Sequence, residues 1–154
     1  MILSAQSIRK LGIISPFNER TVTSGLSYGL SSCGYDVRIK EPVILRGARQ
    51  FSLASTIEHF DMPLNVVGRV HDKSTWARRG LAIQNTIIEP NWKGYLTLEL
   101  SNNDRDNILR IEAGDPIAQI VFELLDEPTE LPYQGKYQNQ PGYPVGPKLE
   151  NLDD

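Results

Sequence analysis

Tyr95-Leu96-Thr97-Leu98-Glu99-Leu100-Ser101 decides the fold class. Leucine at every second position, with polar or aromatic residues between, follows the two-residue period of a strand that buries one face. Leu96, Leu98 and Leu100 take the core side, and Tyr95, Thr97, Glu99 and Ser101 take the other. Outward from this run, short β-like stretches recur at residues 35–39, 43–45, 51–57, 66–71, 81–88, 108–111 and 117–125, broken by Pro, Gly and Asn-Asp. Many short strands at roughly even spacing predict an all-β sandwich or barrel rather than an α/β fold. Ser4 is positioned to cap a short N-terminal helix running to Lys10, with Ile8 and Leu11 facing inward and Gly12 ending it. Residues 16–31 read as a polar loop bearing Gly and Ser, and Trp76 to Arg79 as one helical turn presenting Ser74 and Thr75.

A chain of 154 residues, 40% of them hydrophobic, buries one core and is too short for two ordinary domains. A formal net charge of -3 excludes the global basic field with which nucleic-acid binders collect phosphates, while leaving room for a small anion held by a local basic cluster. Apolar runs stay well below the ~20 residues of a membrane span, and the N-terminus lacks a charged-then-apolar signal, so a cytoplasmic protein without membrane or nucleic-acid polymer partners is expected. Cys33 is the only cysteine, which fits a reducing compartment. With one cysteine, and His59 and His71 as the only histidines, the chain lacks the Pro-Cys-x-x-Cys set of zinc-dependent nucleoside deaminases. No protein metal site is expected.

Two stretches carry the chemistry. Lys73-Ser74-Thr75-Trp76-Ala77-Arg78-Arg79-Gly80-Leu81 combines cations and hydroxyls, and Glu89-Pro90-Asn91-Trp92-Lys93-Gly94 puts a carboxylate and an indole beside a turn. By periodicity alone Glu99 reads as part of a solvated strand face, Ser74 and Thr75 as helix caps, Arg79 as a surface arginine and Trp92 as a core residue at a turn. His71-Asp72-x-Ser74 is no triad on local spacing, because such triads are assembled by fold geometry. After Pro132 the chain loses periodicity and is rich in Gln, Gly, Pro and Tyr; it divides as a β domain over residues 1–131 and a mobile tail over 132–154.

In order, Met1-Ile2-Leu3-Ser4 with Ile8-Arg9, Ser32-Cys33-Gly34-Tyr35-Asp36-Val37-Arg38-Ile39, Lys73-Ser74-Thr75-x-x-Arg78-x-Gly80-Leu81, Glu89-Pro90-x-Trp92-x-Gly94, Leu98-Glu99-Leu100-Ser101-Asn102 and Pro132-Tyr133-Gln134-Gly135-Lys136-Tyr137-Gln138-Asn139-Gln140-Pro141-Gly142 resemble the dCTP deaminase branch of the dUTPase-like superfamily. The likeness spans most of the chain. It implies a distorted jelly roll and a zinc-independent deamination of dCTP to dUTP and ammonia, in a homotrimer whose sites form between subunits. Under it Glu99 is the proton shuttle, Arg78 the neighbouring cation, and Ser74 a hydrogen-bonding partner of water and phosphate. Lys73 and Thr75 meet the triphosphate, whose Mg2+ comes with the substrate. Glu89 and Trp92 bracket the deoxyribose, and Tyr133, Lys136 and Gln140 belong to a closing lid. Two departures stand out: Glu89 replaces an aspartate, and the stretch from Gly80 to Glu89 is about two residues shorter than in the bacterial enzymes. A bifunctional deaminase releasing dUMP and pyrophosphate, a dUTPase, and a non-enzymatic nucleotide sensor are the alternatives.

Overall fold

The computed structural model describes residues 1–150. Helix α1 (Ala5–Leu11) starts at Ser4 and closes at Gly12, whose left-handed φ of 63° glycine adopts without a Cβ penalty. Ile8 is buried as expected, but Leu11, expected inward, is exposed: the helix ends there, leaving one inward anchor. Ser4 caps by position only, its hydroxyl lying 3.3 Å from that of Ser7.

Strand β1 (Ile14–Ser15) is followed, inside the stretch read as a loop, by a hairpin of β2 (Thr21–Thr23) and β3 (Leu26–Leu30). Ser24 and Gly25 both take positive φ, 51° and 77°, as a two-residue hairpin turn requires, and Thr-Val-Thr supplies β-branched residues before it. The polar composition concealed this hairpin. Next come β4 (Tyr35–Arg38), β5 (Val43–Leu45), β6 (Phe51–Asp61) and β7 (Val66–Asp72), the single turn α2 (Ser74–Ala77), then β8 (Leu81–Ile83), β9 (Ile87–Ile88), β10 (Lys93–Asn102), β11 (Leu109–Ile111) and β12 (Pro116–Leu124). The one strand expected over 81–88 is therefore two, belonging to different sheets. Polar Gln84-Asn85-Thr86 lets the chain cross between them: Gln84 N–H donates to Glu99 O, and Thr86 O accepts from Val70 N–H.

The strands form an all-antiparallel β sandwich: one sheet in the order β1-β6-β10-β8, the other β2-β3-β4-β12-β7-β9, with β5 and β11 as a small side pair. Phe60 of β6 and Phe122 of β12 meet between the sheets, their ring centroids 6.4 Å apart and both fully buried. Leu98, Leu100, Val37, Ile39, Ile117 and Ile120 fill the same layer, each side chain adding roughly 1.5–3 kcal/mol of burial. One carboxylate shares this interior. Glu58 has no exposed surface, yet its oxygens accept from Arg38 N–H at 2.9 Å and Arg38 Nε at 2.8 Å. Burial pushes its carboxyl up, with the Arg38 contacts opposing.

Candidate active site

Strand β10 presents its residues as the alternation predicts: Leu96, Leu98 and Leu100 are buried, while Thr97, Glu99 and Ser101 are half-buried on the opposite face. Against β6 the pairing jumps from Tyr95↔His59 to Thr97↔Ser55, so β6 bulges. The Thr56 hydroxyl fills the gap, accepting from Leu96 N–H at 2.9 Å and donating to Glu58 O at 2.7 Å. Such bulges re-aim side chains beside functional clefts. Here the face carrying Thr97 and Glu99 opens on a cavity of about 470 Å³, walled by carbon from Phe51, Leu53, Ile87 and Ile88. Glu89, Trp92, Tyr133 and Gln140 line it as well.

Glu99 is the unusual group of this cavity. Its Oε2 is buried and has no hydrogen-bond partner among the described residues. Loss of solvent raises its carboxyl above the ordinary range, opposed only by its own backbone N–H. A buried acceptor without a donor marks a place where water or a ligand belongs. The apolar walls suit a planar ring, and a carboxyl of raised pKa suits reversible proton transfer.

Glu89-Pro90-Asn91-Trp92 makes a tight turn closed by Trp92 N–H to Glu89 O at 3.1 Å, with Pro90 second and Asn91 at φ 70° third, the pattern of a type II turn. This puts the exposed Glu89 carboxylate at the cavity mouth and buries the Trp92 indole in its wall. The tail is docked across the same turn and strand. Trp92 Nε1 donates to Tyr137 O at 2.7 Å, Asn91 Nδ2 to Tyr133 O at 3.0 Å, and Lys40 Nζ to Gly142 O at 2.8 Å. Gln140 gives its amide hydrogens to Tyr95 O and Thr97 Oγ1. Val145, Gly146 and Pro147 complete the wall of the cavity. Lys136 lies outside, paired with Glu150 at 3.0 Å.

Of the residues expected to form the site, Glu99, Glu89, Trp92, Tyr133 and Gln140 are thus together, whereas Lys73, Ser74, Thr75 and Arg78 do not line this cavity. They sit at α2, whose N-cap position is Lys73 rather than Ser74 or Thr75. Lys73 is buried and paired with Asp36 of β4, which also accepts from Gln119 Nε2. Ser74, Thr75 and Arg78 are exposed. From Gly80 the four residues 81–84 lead toward Glu99, about 13 Å at the usual rise of a strand. Beside α2 lies a second cleft of about 730 Å³ lined by Thr75, Trp76, Arg79, Arg38, Arg110 and Tyr28. Arg38 stacks 4.3 Å over Tyr28 and Arg79 4.9 Å over the buried Trp76, so two guanidinium groups are held by aromatic faces. Sequence reading missed Thr97, Asn91 and Lys40 as tail anchors. Only Thr97 carried a signal, its place on the Glu99 face.

The dCTP deaminase-like family matches residues 35–125, which include α2, the turn and Glu99. The chain belongs to this family. Its similarity to curated family members extends beyond the matched segment. A dCTP deaminase of Acidobacterium capsulatum is 36% identical, with 90% of this chain and 92% of that protein aligned. One of Roseiflexus castenholzii is 38% identical over 92% and 93%, and one of Helicobacter pylori 36% over 90% of each. Among solved structures, a Staphylococcus bacteriophage 80alpha dUTPase with dUpNHpp superposes with TM-score 0.58 at 18% identity, covering 79% of this chain and 84% of that chain. A native EIAV dUTPase gives 0.55 at 20%, covering 67% and 84%. These two bear on the fold, which is dUTPase-like.

Proposed function

We propose that the chain deaminates dCTP hydrolytically to dUTP and ammonia. The observation that carries this reading is the buried Glu99 Oε2, without a hydrogen-bond partner among the described residues, in a carbon-walled cavity that Glu89 and Trp92 also line. The cytosine ring packs against the apolar wall. Glu99 takes a proton from the attacking water as it adds to C4 and passes it to the ring nitrogen N3, then takes the remaining proton from the C4 hydroxyl and delivers it to the amine, which leaves as ammonia as the C4 carbonyl forms. Burial disfavours the charged form of its carboxyl and so strengthens its hold on the proton it takes up. Glu89 accepts the deoxyribose 3′-hydroxyl, and the Trp92 indole, fixed by its bond to Tyr137 O, occupies the space a 2′-hydroxyl would need.

The triphosphate and its Mg2+ are received at an α2 face: Ser74 and Thr75 donate hydroxyl hydrogen bonds and Arg78 supplies charge. The cation is carried by the substrate's phosphate oxygens. Because α2 residues do not line the Glu99 cavity of their own chain, the α2 face serving each cavity comes from another copy. A homotrimer supplies it. The tail over residues 132–154, of which 151–154 lie outside the described residues, acts as the lid, with Tyr133 and Gln140 at the ring end and Lys136 toward the phosphates. The enzyme works in the cytoplasm on free nucleotides.

The test is incubation of the purified chain with dCTP and Mg2+, resolving nucleotides by chromatography and assaying ammonia. Equimolar dUTP and ammonia are expected. Unchanged dCTP, or hydrolysis of dUTP alone, would overturn the reading.

A further inference from the structure

Thr97 stands two residues before Glu99 on the same face of β10, and its hydroxyl oxygen is an acceptor for two tail groups. Gln140 Nε2 donates to it at 2.7 Å and Val145 N–H at 3.0 Å, which occupies both acceptor positions of a hydroxyl. The other amide hydrogen of Gln140 goes to Tyr95 O at 2.9 Å on the same strand. Other tail anchors act upstream of this segment: Trp92 and Asn91 hold Tyr137 and Tyr133, Lys93 N–H donates to Gln138, Tyr95 N–H to Gln140 O, and Lys40 holds Gly142.

Beyond Gly142 the chain runs Tyr143-Pro144-Val145-Gly146-Pro147. Two prolines remove two N–H groups and fix φ at both positions, so the segment is stiff and has few ways of attaching itself. Among the described residues, the Val145 N–H bond to Thr97 is the only hydrogen bond that residues 143–147 make. Yet Val145, Gly146 and Pro147 form part of the wall around Glu99. The segment is pinned on either side by Lys40 Nζ to Gly142 O and by Lys148 N–H to Tyr137 Oη, each at 2.8 Å, and between those points one hydroxyl, on the strand that bears the carboxylate, makes the direct bond to the wall.

We propose that Thr97 is a positioning residue for the reaction: its hydroxyl fastens the Val145–Pro147 wall to β10, and so keeps solvent away from Glu99 while substrate is bound. The kinetic consequence rests on the proposed deamination; the fastening itself does not. Valine at this position keeps the shape and β-preference and loses both acceptor positions, whereas serine keeps them.

The experiment compares the full chain with Thr97→Val and Thr97→Ser, by amide hydrogen exchange and by steady-state kinetics on dCTP. In Thr97→Val the Val145 amide should exchange about tenfold faster, the scale of one lost hydrogen bond, while the β10 amides remain protected. KM for dCTP should rise about tenfold and kcat should fall with it, because an unfastened wall weakens both enclosure and water exclusion. Thr97→Ser should restore exchange and kinetics together. Unchanged exchange at Val145 would overturn the proposal, as would faster exchange with unaltered kinetics, or failure of serine to rescue. A wild-type chain inert toward dCTP would refute the deaminase reading and the kinetic part with it; the exchange result would still decide whether Thr97 fastens the wall.

Discussion

At Glu99 the demands of stability and chemistry oppose each other. Its raised pKa comes from desolvation, so the fold disfavours the ionised form. The protonated carboxyl is accommodated below the ordinary glutamate range, and stability is lost as pH rises through the raised folded value. Glu99→Gln removes that penalty. It should lower kcat by about 10²–10⁴ while leaving dCTP binding nearly intact, since the amide keeps the shape without the proton transfer. The same variant should melt higher than wild type near neutral pH, with the advantage vanishing in acid; calorimetry across pH checks the second half, and ammonia release near the wild-type rate would remove Glu99 from the mechanism. Glu89 governs a different outcome. Its carboxylate is one methylene longer than the aspartate that the resemblance implies here, and it stands exposed at the cavity mouth. The resemblance to bifunctional deaminases implies that a carboxylate at this position directs a second water at the α-phosphorus; such in-line attack tolerates little misplacement, so dUTP should accumulate from dCTP with little dUMP. Pyrophosphate released in step with ammonia would reverse this conclusion. Residue identities made both carboxylates visible in the sequence, but the missing partner of Glu99 Oε2 was not, because a strand period says which side a residue faces and not what stands opposite.

Among the elements, alternation made β5, β7, β10 and β11 legible, since one buried face imposes the period, while β4, β6 and β12, each with three consecutive buried residues, were legible as short apolar or β-branched runs between turn residues. Where tertiary contacts set the element, periodicity failed: the polar β2–β3 hairpin depends on its Ser24-Gly25 turn, and residues 81–88 split because Gln84 and Thr86 bond to different sheets. The tail's course depends on long-range contacts of the same kind. Its central contact is the bridge of Gln140 alongside Gly94, where Tyr95 N–H donates to Gln140 O at 3.0 Å. Gly94 has φ 141°, and a Cβ there would lie 2.6 Å from Gln140 N and 2.8 Å from its O. Gly94→Ala should therefore expel Gln140 from the strand edge, costing about 1–3 kcal/mol through backbone strain and lost contact. Faster amide exchange across residues 137–145 and a raised KM for dCTP are the expected readouts. A docked tail in that variant would show that the edge has more room than this geometry allows.

For the molecule as a whole, the decisive fact is that the chemistry-bearing residues of one chain fall in two places. Glu99, Glu89 and Trp92 surround one cavity, and α2 with its flanking arginines borders another cleft. Phe51 and Ile87 at the rim of the Glu99 cavity are about half exposed, at 57% and 48%, and the buried Trp76 Nε1 has no acceptor among the described residues. Carbon and an orphan donor of this kind are what an adjoining copy would cover. Light scattering of the active enzyme should accordingly give three times the chain mass. The division of labour allows a sharper test. Arg78→Ala disables only the α2 half and Glu99→Gln only the cavity half, so each variant alone should be nearly inactive. Coassembled at equal amounts with random assortment, about one quarter of the sites in a ring of three pair an intact cavity with an intact α2 from its neighbour. Activity should then return to about a quarter of wild type per site, provided the copies are mixed by co-expression or joint refolding. Activity no greater than the sum of the separate variants, in trimers shown to contain both chains, would place Arg78 and Glu99 in the same copy's site and remove the case for a shared one.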